Sequence, residues 1–269
     1  MWTVRCLAGF RAGAYHRVMT REVHTHFLPT LFEPEDLRGG IAVVIDVLRA
    51  STTICHALAA GVDSIIPVES VEQARERAAN LPYESAVLGG ERNGLRIEGF
   101  DLDNSPFSCT EENLAGRTLV FTTTNGTKAM LRARLAECIL IGTFNNLAVV
   151  VEQIRSSDKS VHLVCAGTDG NITAEDVLFA GAVLHRLCEN HEFPEIPDDP
   201  SRLALNSYRR IAKSEESEAL LQALRGCLGG RNLRSLGMDA DIERAAELDR
   251  FHFVPIYSTQ TGRIIQTEN

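Results

Sequence analysis

The sequence predicts an α/β fold, with a largely parallel or mixed sheet between two layers of helices in a three-layer α/β/α arrangement. Short, β-branched apolar runs recur along the chain, and near-continuous apolarity is typical of strands buried on both faces. Segments with helical periodicity lie between these runs, and this alternation indicates a sheet covered by helices. The predicted strands are residues 41–48, 64–68, 118–124, 138–143 and 161–167.

The helical segments carry start signals and apolar periodicity. Ser70 and Gln73 have the spacing of a capping box, which predicts a helix that continues to about residue 80. Apolar residues at i, i+3, i+4 and i+7 predict two further helices, one from Leu147 and one from Val177.

Two stretches interrupt this alternation. Residues 89–117 are glycine-rich and show no sustained period, and a connection of that length in a compact domain is usually functional or disordered. Residues 191–250 read as a helical, polar segment, followed by a last predicted strand at 251–257. We predict one α/β domain over 19–269, preceded by a disordered extension at 1–18.

Composition and charge argue against several classes of protein. The chain has 269 residues, of which 44% are hydrophobic, enough for a sizeable core. Its net charge of −9 lacks the basic footprint of a nucleic-acid-binding protein. No apolar run approaches the roughly 18 residues of a membrane helix. We therefore expect neither a nucleic-acid nor a membrane partner, and leave a homo-oligomer open.

The seven cysteines are widely spaced and include no CxxC pair, which favours a reducing cytoplasm over a disulfide scaffold or a thiolate zinc site. His24 and His26 alternate as on one face of a strand. Two histidines without further nitrogen or sulfur partners are weak evidence for zinc.

A first polar junction follows the first predicted strand. Asp46 and Arg49 come at its end, and Ser51, Thr52 and Thr53 then open a helix. Free backbone N–H groups, hydroxyls and a guanidinium at this point predict an anion site. The structural alternative is a helix cap beside an Asp46–Arg49 ion pair, and a buried aspartate at a strand end favours the functional interpretation.

A second junction follows the strand at 118–124. Thr123, Thr124, Asn125, Gly126 and Thr127 lead into a helix that begins near Thr127. Successive N–H groups and hydroxyls predict an anion-binding nest, although neither GxxxxGK[ST] nor GxGxxG is present. A tight strand-to-helix turn with no ligand explains this segment equally well.

The glycine-rich stretch supplies a third group of polar residues. Glu91, Asp101 and Asp103 offer the hard oxygen ligands that Mg²⁺ prefers alongside substrate phosphate oxygens. Its hydrogen-bond donors are Arg92, Asn104 and Ser105. The alternative is a solvated loop with an Asx turn, which we favour for Asp103.

A fourth junction combines a strand end with an acidic helix start. Thr173 can cap a helix whose first turn carries Glu175 and Asp176. The helix dipole accounts for one of these carboxylates and leaves the other for a site. Cys165, at the end of the preceding strand, reads as a core cysteine and not as a nucleophile.

These four segments, at 46–53, 90–106, 122–130 and 164–181, resemble the 2-phosphosulfolactate phosphatase (ComB-like) family. The resemblance extends in order over roughly residues 20–257 and includes, more faintly, the segment 237–249. It implies a three-layer α/β/α fold and a magnesium-dependent phosphatase of coenzyme M biosynthesis. The implied reaction converts 2-phospho-3-sulfolactate to 3-sulfolactate and phosphate.

With this resemblance, each candidate residue receives an expected role. We expect Mg²⁺ to bridge substrate and protein carboxylates. The expected metal ligands are Asp46, Glu91 and Asp101. The expected catalytic residues are Asp46 or Asp176, as base or nucleophile, and Arg49. The expected substrate-binding residues are Arg49, Ser51, Thr52, Arg92, Asn104, Ser105, Thr123, Thr124, Asn125, Gly126 and Thr127.

Three other functions stay open on the sequence. The chain could be a phosphatase of another small, multiply anionic metabolite. It could be a nicotinamide-dependent oxidoreductase, although the dinucleotide fingerprint is missing. It could also be a non-catalytic anion-binding domain, for which the donor-rich turns would suffice without carboxylates.

Overall fold

A mixed sheet of ten strands forms the centre of the computed structural model, which describes residues 22–82, 85–189, 196, 198–213 and 216–266. The strands β1 to β10 are Val23–His26, Ile41–Ile45, Ser64–Pro67, Ala86–Arg92, Leu95–Arg96, Thr118–Thr122, Cys138–Gly142, Val161–Cys165, Pro255–Ser258 and Arg263–Gln266. Their spatial order is β1-β8-β2-β7-β9-β10-β3-β6-β4-β5. Five of the nine strand pairs in the described chain are parallel, and the antiparallel pairs are β7–β9, β9–β10, β10–β3 and β4–β5. The predicted mixed sheet is confirmed.

Helices cover both faces of this sheet. The helices α1 to α10 are Ala50–Ala59, Val71–Ala79, Glu111–Leu114, Gly126–Arg132, Leu147–Arg155, Ala174–Glu189, Asp199–Ala212, Glu216–Gly226, Leu228–Ser235 and Asp239–Ala246. Along β2, Ile41, Val43 and Ile45 pack in the core shared with α5, α6 and α7. Ala42 and Val44 pack in the opposite core, with α1 and α4. Alternate residues of one strand therefore enter different layers, which confirms the three-layer α/β/α prediction.

The five predicted strands correspond to β2, β3, β6, β7 and β8. Each ends one to three residues earlier than the apolar run suggests. At β2 the reason is visible, because the backbone carbonyl of Asp46 accepts from the Ser51 N–H at 2.8 Å, and this bond begins the turn into α1. The residues directly after these shortened strands therefore lie in turns, where their side chains can contribute to a site.

The glycine-rich stretch at 89–117 is more ordered than predicted, since it begins inside β4 and continues through β5 and α3. In β4, polar residues and two glycines interrupt the apolar pattern from which a strand would have been predicted. Gly90 has a φ of +148°, and a Cβ there would lie 2.1 Å from the Thr122 carbonyl oxygen of β6. Only glycine allows this approach of the two strands.

At the carboxyl end of the chain, the strand predicted at 251–257 is shorter and begins later, at Pro255. It continues into the hairpin partner β10, which the sequence did not indicate. The predicted helical segment 191–250 contains α7 to α10 in its described part. Residues 1–18 lie outside the described residues. Within the described part of the chain, no helix has the length and apolar character needed to cross a membrane.

Histidines pair across the edge of the sheet. His26 of β1 and His162 of β8 lie with Nε2 and Nδ1 3.1 Å apart and with their rings stacked. Burial, and then the charge of neighbouring histidines, lowers the pKa of each from 6.5 to about 4. The folded chain therefore resists protonation at this edge.

This depressed pKa predicts an acid-sensitive fold. Because the unfolded chain takes up these protons at pH values where the folded chain does not, the free energy of unfolding falls as the pH drops from 6.5 towards about 4. Thermal unfolding between pH 7.5 and 4.5 measures the slope, which we expect to be shallower in His162→Gln. His252→Gln, at an exposed histidine, is the control. An unchanged slope in His162→Gln would contradict the prediction.

Candidate active site

A cavity of about 300 Å³ opens where the carboxyl ends of several strands meet. Asp46 and Arg49 follow β2, Glu91 belongs to β4, and the turn 123–125 follows β6. Helix α9 contributes the opposite wall. The carboxyl edge of an open α/β sheet is where such folds bind ligands, and this volume lies at the small end of the range for small-molecule sites.

Asp46 is, with Glu91, one of two buried carboxylates among the described residues that line this cavity. Its Oδ1 accepts from the Ala50 N–H at 3.2 Å, so the side chain caps α1 while facing the cavity. Burial, and to a smaller extent the charges of Glu91 and Glu175, raise its pKa from 3.8 to about 7. A carboxylate with this pKa can exchange a proton near neutral pH.

Arg49 is buried and is held from two sides. Its Nη1 donates to Asp241 Oδ2 at 2.6 Å, and its Nη2 donates to the Gly94 carbonyl oxygen at 2.8 Å. The other carboxylate oxygen of Asp241 accepts from Ser105 Oγ at 2.7 Å. Arg49 is thus paired with Asp241. The structural alternative at this junction required an ion pair between Arg49 and Asp46, which is not the pair observed.

The donors of the turn after Arg49 point into the protein. Ser51 Oγ accepts from the Asp46 N–H, Thr52 Oγ1 donates to the Val47 carbonyl oxygen, and Thr53 Oγ1 donates to the Asn104 carbonyl oxygen. The Ser51 and Thr53 N–H groups are used in backbone bonds. The structure does not bring Ser51 and Thr52 to the cavity, and Arg49 is the donor that this segment offers.

The turn after β6 keeps its donors closer to the cavity. Thr124 donates to Glu91 Oε1 from both its N–H and its hydroxyl, at 2.9 Å each. The hydroxyls of Thr123 and Thr127 are buried and have no hydrogen-bond partner among the described residues. Asn125 lines the cavity and accepts from the Asp169 N–H. Because Thr123 lines the cavity, a polar ligand there would supply the hydrogen-bond partner that its hydroxyl lacks.

The structure brings together two of the three expected metal ligands. Asp46 and Glu91 line the cavity, whereas Asp101 accepts from the Leu88 N–H with its carboxylate outside it. Arg92 bonds to the Glu91 carbonyl oxygen and to Thr122 Oγ1, also outside the cavity lining. Across the described residues, no three His, Cys, Asp or Glu side chains are arranged to hold a metal ion.

The oxygen atoms around Asp46 nevertheless fit a hard cation. Asn104 lines the cavity, and its Oδ1 is buried without a hydrogen-bond partner among the described residues. The Thr123 hydroxyl is in the same condition. Carboxylate, amide and hydroxyl oxygens, completed by water and substrate oxygens, form the type of ligand set that Mg²⁺ takes.

Asp176 lies behind Asp46, at the amino end of α6. Its two oxygens accept from the Val47 and Gly167 N–H groups at 2.9 and 3.0 Å, and it does not line the cavity. Burial, and next the charge of Asp46, raises its pKa well above the usual range. Glu175, equally buried, keeps one oxygen without a partner in the described chain. The structure therefore places Asp176 next to Asp46 but outside the lining of the cavity.

Three parts of the site were not predicted from the sequence. Helix α9 and the hairpin tip at Asn93 and Gly94 contribute to the wall, and Asp241 of α10 holds Arg49. The available signal was the faint family resemblance over 237–249, which includes Asp241. Nothing in its local sequence indicates a partner that lies 192 positions away.

Comparison with known proteins identifies a family match over most of the chain. The model of the family described as 2-phosphosulpholactate phosphatase matches residues 26–260. This chain belongs to that family. Membership confirms the predicted enzyme class, a phosphatase, and leaves the oxidoreductase alternative without support.

Curated relatives in three bacteria are named "Probable 2-phosphosulfolactate phosphatase". The relative in Caldanaerobacter subterraneus is 37% identical over 82% of this chain and 88% of its own length. The Symbiobacterium thermophilum protein is 37% identical over 87% and 97%, respectively. The Caldicellulosiruptor saccharolyticus protein is 40% identical over 77% and 84%.

Gly126 provides a test of how closely Asp46 is positioned. A Cβ at Gly126 would lie 2.8 Å from both Asp46 Oδ2 and Ala50 Cβ, so Gly126→Ala must displace the carboxylate or α1. We expect kcat for phosphate release to fall by roughly 100-fold, the size of effect that a displacement of about 1 Å can have. Gly226→Ala, where a Cβ meets nothing within 4 Å, is the control. Equal kcat values would show that Asp46 needs no such fit.

Proposed function

We propose that this chain hydrolyses the phosphate ester of 2-phospho-3-sulfolactate to give 3-sulfolactate and phosphate, the reaction type of coenzyme M biosynthesis. The observation that carries the proposal is Asp46, a buried carboxylate with a pKa near neutral, which shares one cavity with Arg49 and the hydroxyl of Thr123. Membership of the 2-phosphosulpholactate phosphatase family supports the substrate.

In this proposal Arg49 and Asp46 act on the phosphoryl group from the same strand end. The guanidinium of Arg49 binds oxygens of the transferring group and stabilises the charge that develops on them. Asp46 removes a proton from the attacking water or attacks phosphorus itself. Thr123 and Asn125 contribute neutral polar contacts from the opposite turn.

The charges in the cavity favour a metal ion. Among the described residues that line it, Asp46, Glu91 and Asp169 are acidic, and Arg49 is the one cation. Arg49 is itself paired with Asp241. The proposed substrate adds a phosphate, a sulfonate and a carboxylate, so without a further cation the complex would gather like charges in a buried space.

We propose Mg²⁺ as that cation, held by Asp46 with Glu91 and the free oxygen of Asn104. When bound, the ion would neutralise negative charge on the phosphoryl oxygens. Asp101 is not part of this proposed set, because its carboxylate accepts from the Leu88 N–H outside the cavity.

We place this reaction in the cytoplasm. The six cysteines found free in the described chain, all buried or half-buried, are compatible with a reducing compartment. A small phosphorylated metabolite is the partner that the cavity accommodates.

A matched pair of substrates tests the proposed function. We expect phosphate release from 2-phospho-3-sulfolactate with a kcat/KM at least tenfold above that for phospholactate, which lacks the sulfonate. One hydrogen bond to a charged group is worth about 1.5–3 kcal/mol, or roughly 10- to 150-fold. Equal kcat/KM values would mean that the sulfonate is not recognised and that the substrate is another phosphorylated metabolite.

The metal requirement gives a second prediction. We expect a chelator to abolish phosphate release and Mg²⁺ to restore it. Glu91→Gln should raise the Mg²⁺ concentration for half-maximal activity, because the substitution removes a charged ligand. Asp101→Asn should leave that concentration unchanged. Activity that survives chelation, or that returns with Zn²⁺ but not with Mg²⁺, would contradict the assignment.

A further inference from the structure

Asp241 is a buried carboxylate for which the proposed reaction has no role so far. It is 4% exposed and lies on α10, far along the chain from the strand ends that build the cavity. One oxygen accepts from Arg49 Nη1 at 2.6 Å, and the other accepts from Ser105 Oγ at 2.7 Å. Both oxygens are therefore engaged, one of them by a group that lines the cavity.

The contacts of Arg49 fix its guanidinium without exhausting it. Asp241 holds Nη1 from α10, and the Gly94 carbonyl oxygen holds Nη2 from the tip of the β4–β5 hairpin. A guanidinium has five N–H donors in a rigid planar fork. Nη1 also donates to Met238 Sδ at 3.1 Å. These contacts set the orientation of the guanidinium and leave Nε–H and the second N–H of Nη2 as the donors that an oxyanion in the cavity can use.

We propose that Asp241 is a positioning residue: it orients Arg49 for the phosphoryl group, and Ser105 in turn orients Asp241. This inference rests on the proposed function, because it assigns Arg49 to the oxyanion. Asp241 also keeps the Arg49 guanidinium in one place when the cavity is empty. Less side-chain ordering is then needed when an anion binds.

A purely structural role explains these contacts less well. A buried ion pair is weak evidence for stability, because removing two charges from water costs about as much as their attraction returns. Helix α10 is anchored independently by Ile242 and Ala245, both in the main core, and by Asp239, which pairs with Arg225. The Asp241–Arg49 pair differs from the Asp239–Arg225 pair because Arg49 lines the cavity and Arg225 does not.

This arrangement provides a matched control on one helix. Asp239 and Asp241 both pair with an arginine, but Arg225 is not among the residues that line the cavity. Asp239→Asn therefore weakens the contacts of Asp239 with Arg225 and Arg234, which are more exposed than the Asp241 pair, and leaves Asp241 in place beside Arg49. A loss of kcat/KM that occurs in Asp241→Asn but not in Asp239→Asn is then attributable to the change at Arg49 in the cavity.

The test is a double-mutant cycle with Asp241→Asn and Arg49→Gln. We expect Asp241→Asn alone to lower kcat/KM for 2-phospho-3-sulfolactate by about 10- to 100-fold, as for other residues that orient a ligand-binding side chain. In the Arg49→Gln background the same substitution should cost little more, because its effect passes through Arg49. Asp239→Asn should leave kcat/KM near the wild-type value.

A second variant protects the test against misfolding. Ser105→Ala removes the hydrogen bond to Asp241 and leaves the Arg49–Asp241 pair in place, so we expect a smaller loss of kcat/KM in the same direction. If Asp241→Asn does not fold, Ser105→Ala in the wild-type and Arg49→Gln backgrounds replaces it in the cycle. Additive losses in either cycle, or an equal loss in Asp239→Asn, would overturn the positioning role.

Calorimetric titration with inorganic phosphate separates this inference from the proposed function. If the wild-type chain binds phosphate but does not hydrolyse 2-phospho-3-sulfolactate, the proposed substrate fails. The cycle is then measured in the Kd for phosphate, and the same non-additivity is expected. A wild-type chain that neither hydrolyses the ester nor binds phosphate would overturn both proposals.

Discussion

The burial of one carboxylate, Asp46, is the constraint on which the site depends. Its Oδ1 caps α1 through the Ala50 N–H, so the strand end, the turn and the helix are fixed around it. The absence of a side chain at Gly126 leaves room for its other oxygen. The same burial raises the pKa of Asp46 to about 7, so a structural contact and a chemical property have one origin. Moving Asp46 towards solvent would weaken both.

This arrangement is costly for the fold, since Asp176 and Glu175 are buried behind Asp46. Burial raises the pKa of all three, and repulsion between the neighbouring carboxylates adds to this at Asp46 and Asp176. Asp176 partly offsets this cost by accepting N–H groups from the ends of β2 and β8, which it holds together. A cation at Asp46 would reduce the repulsion further, so the metal and the acidic cluster are complementary parts of one proposal.

The sequence predicted what local patterns encode: the layered fold, the approximate positions of five strands, and Asp46 and Arg49 as candidate site residues, which both line the cavity. It could not show which donors face inward. Ser51 and Thr52 read as anion-binding hydroxyls, yet both are used by nearby backbone groups. Asp241 was missed because its importance comes from a contact 192 positions away, formed only when α10 packs against the loops. Tertiary packing decides such roles, and a lone sequence does not contain it in readable form.

The hairpin tip at Gly94 shows how these distant parts form one site. Its carbonyl oxygen accepts from Arg49, and its N–H donates to Glu91 Oε2 at 2.8 Å. Glu91 also accepts from Thr124 through its other oxygen, so one carboxylate joins the hairpin to the turn after β6. Arg49 and Glu91 thus bond to the carbonyl oxygen and the N–H of one residue, Gly94. A shift of either side chain is therefore transmitted to the other. Arg49 and Glu91 are therefore positioned jointly, and an account of either residue has to include the hairpin between them.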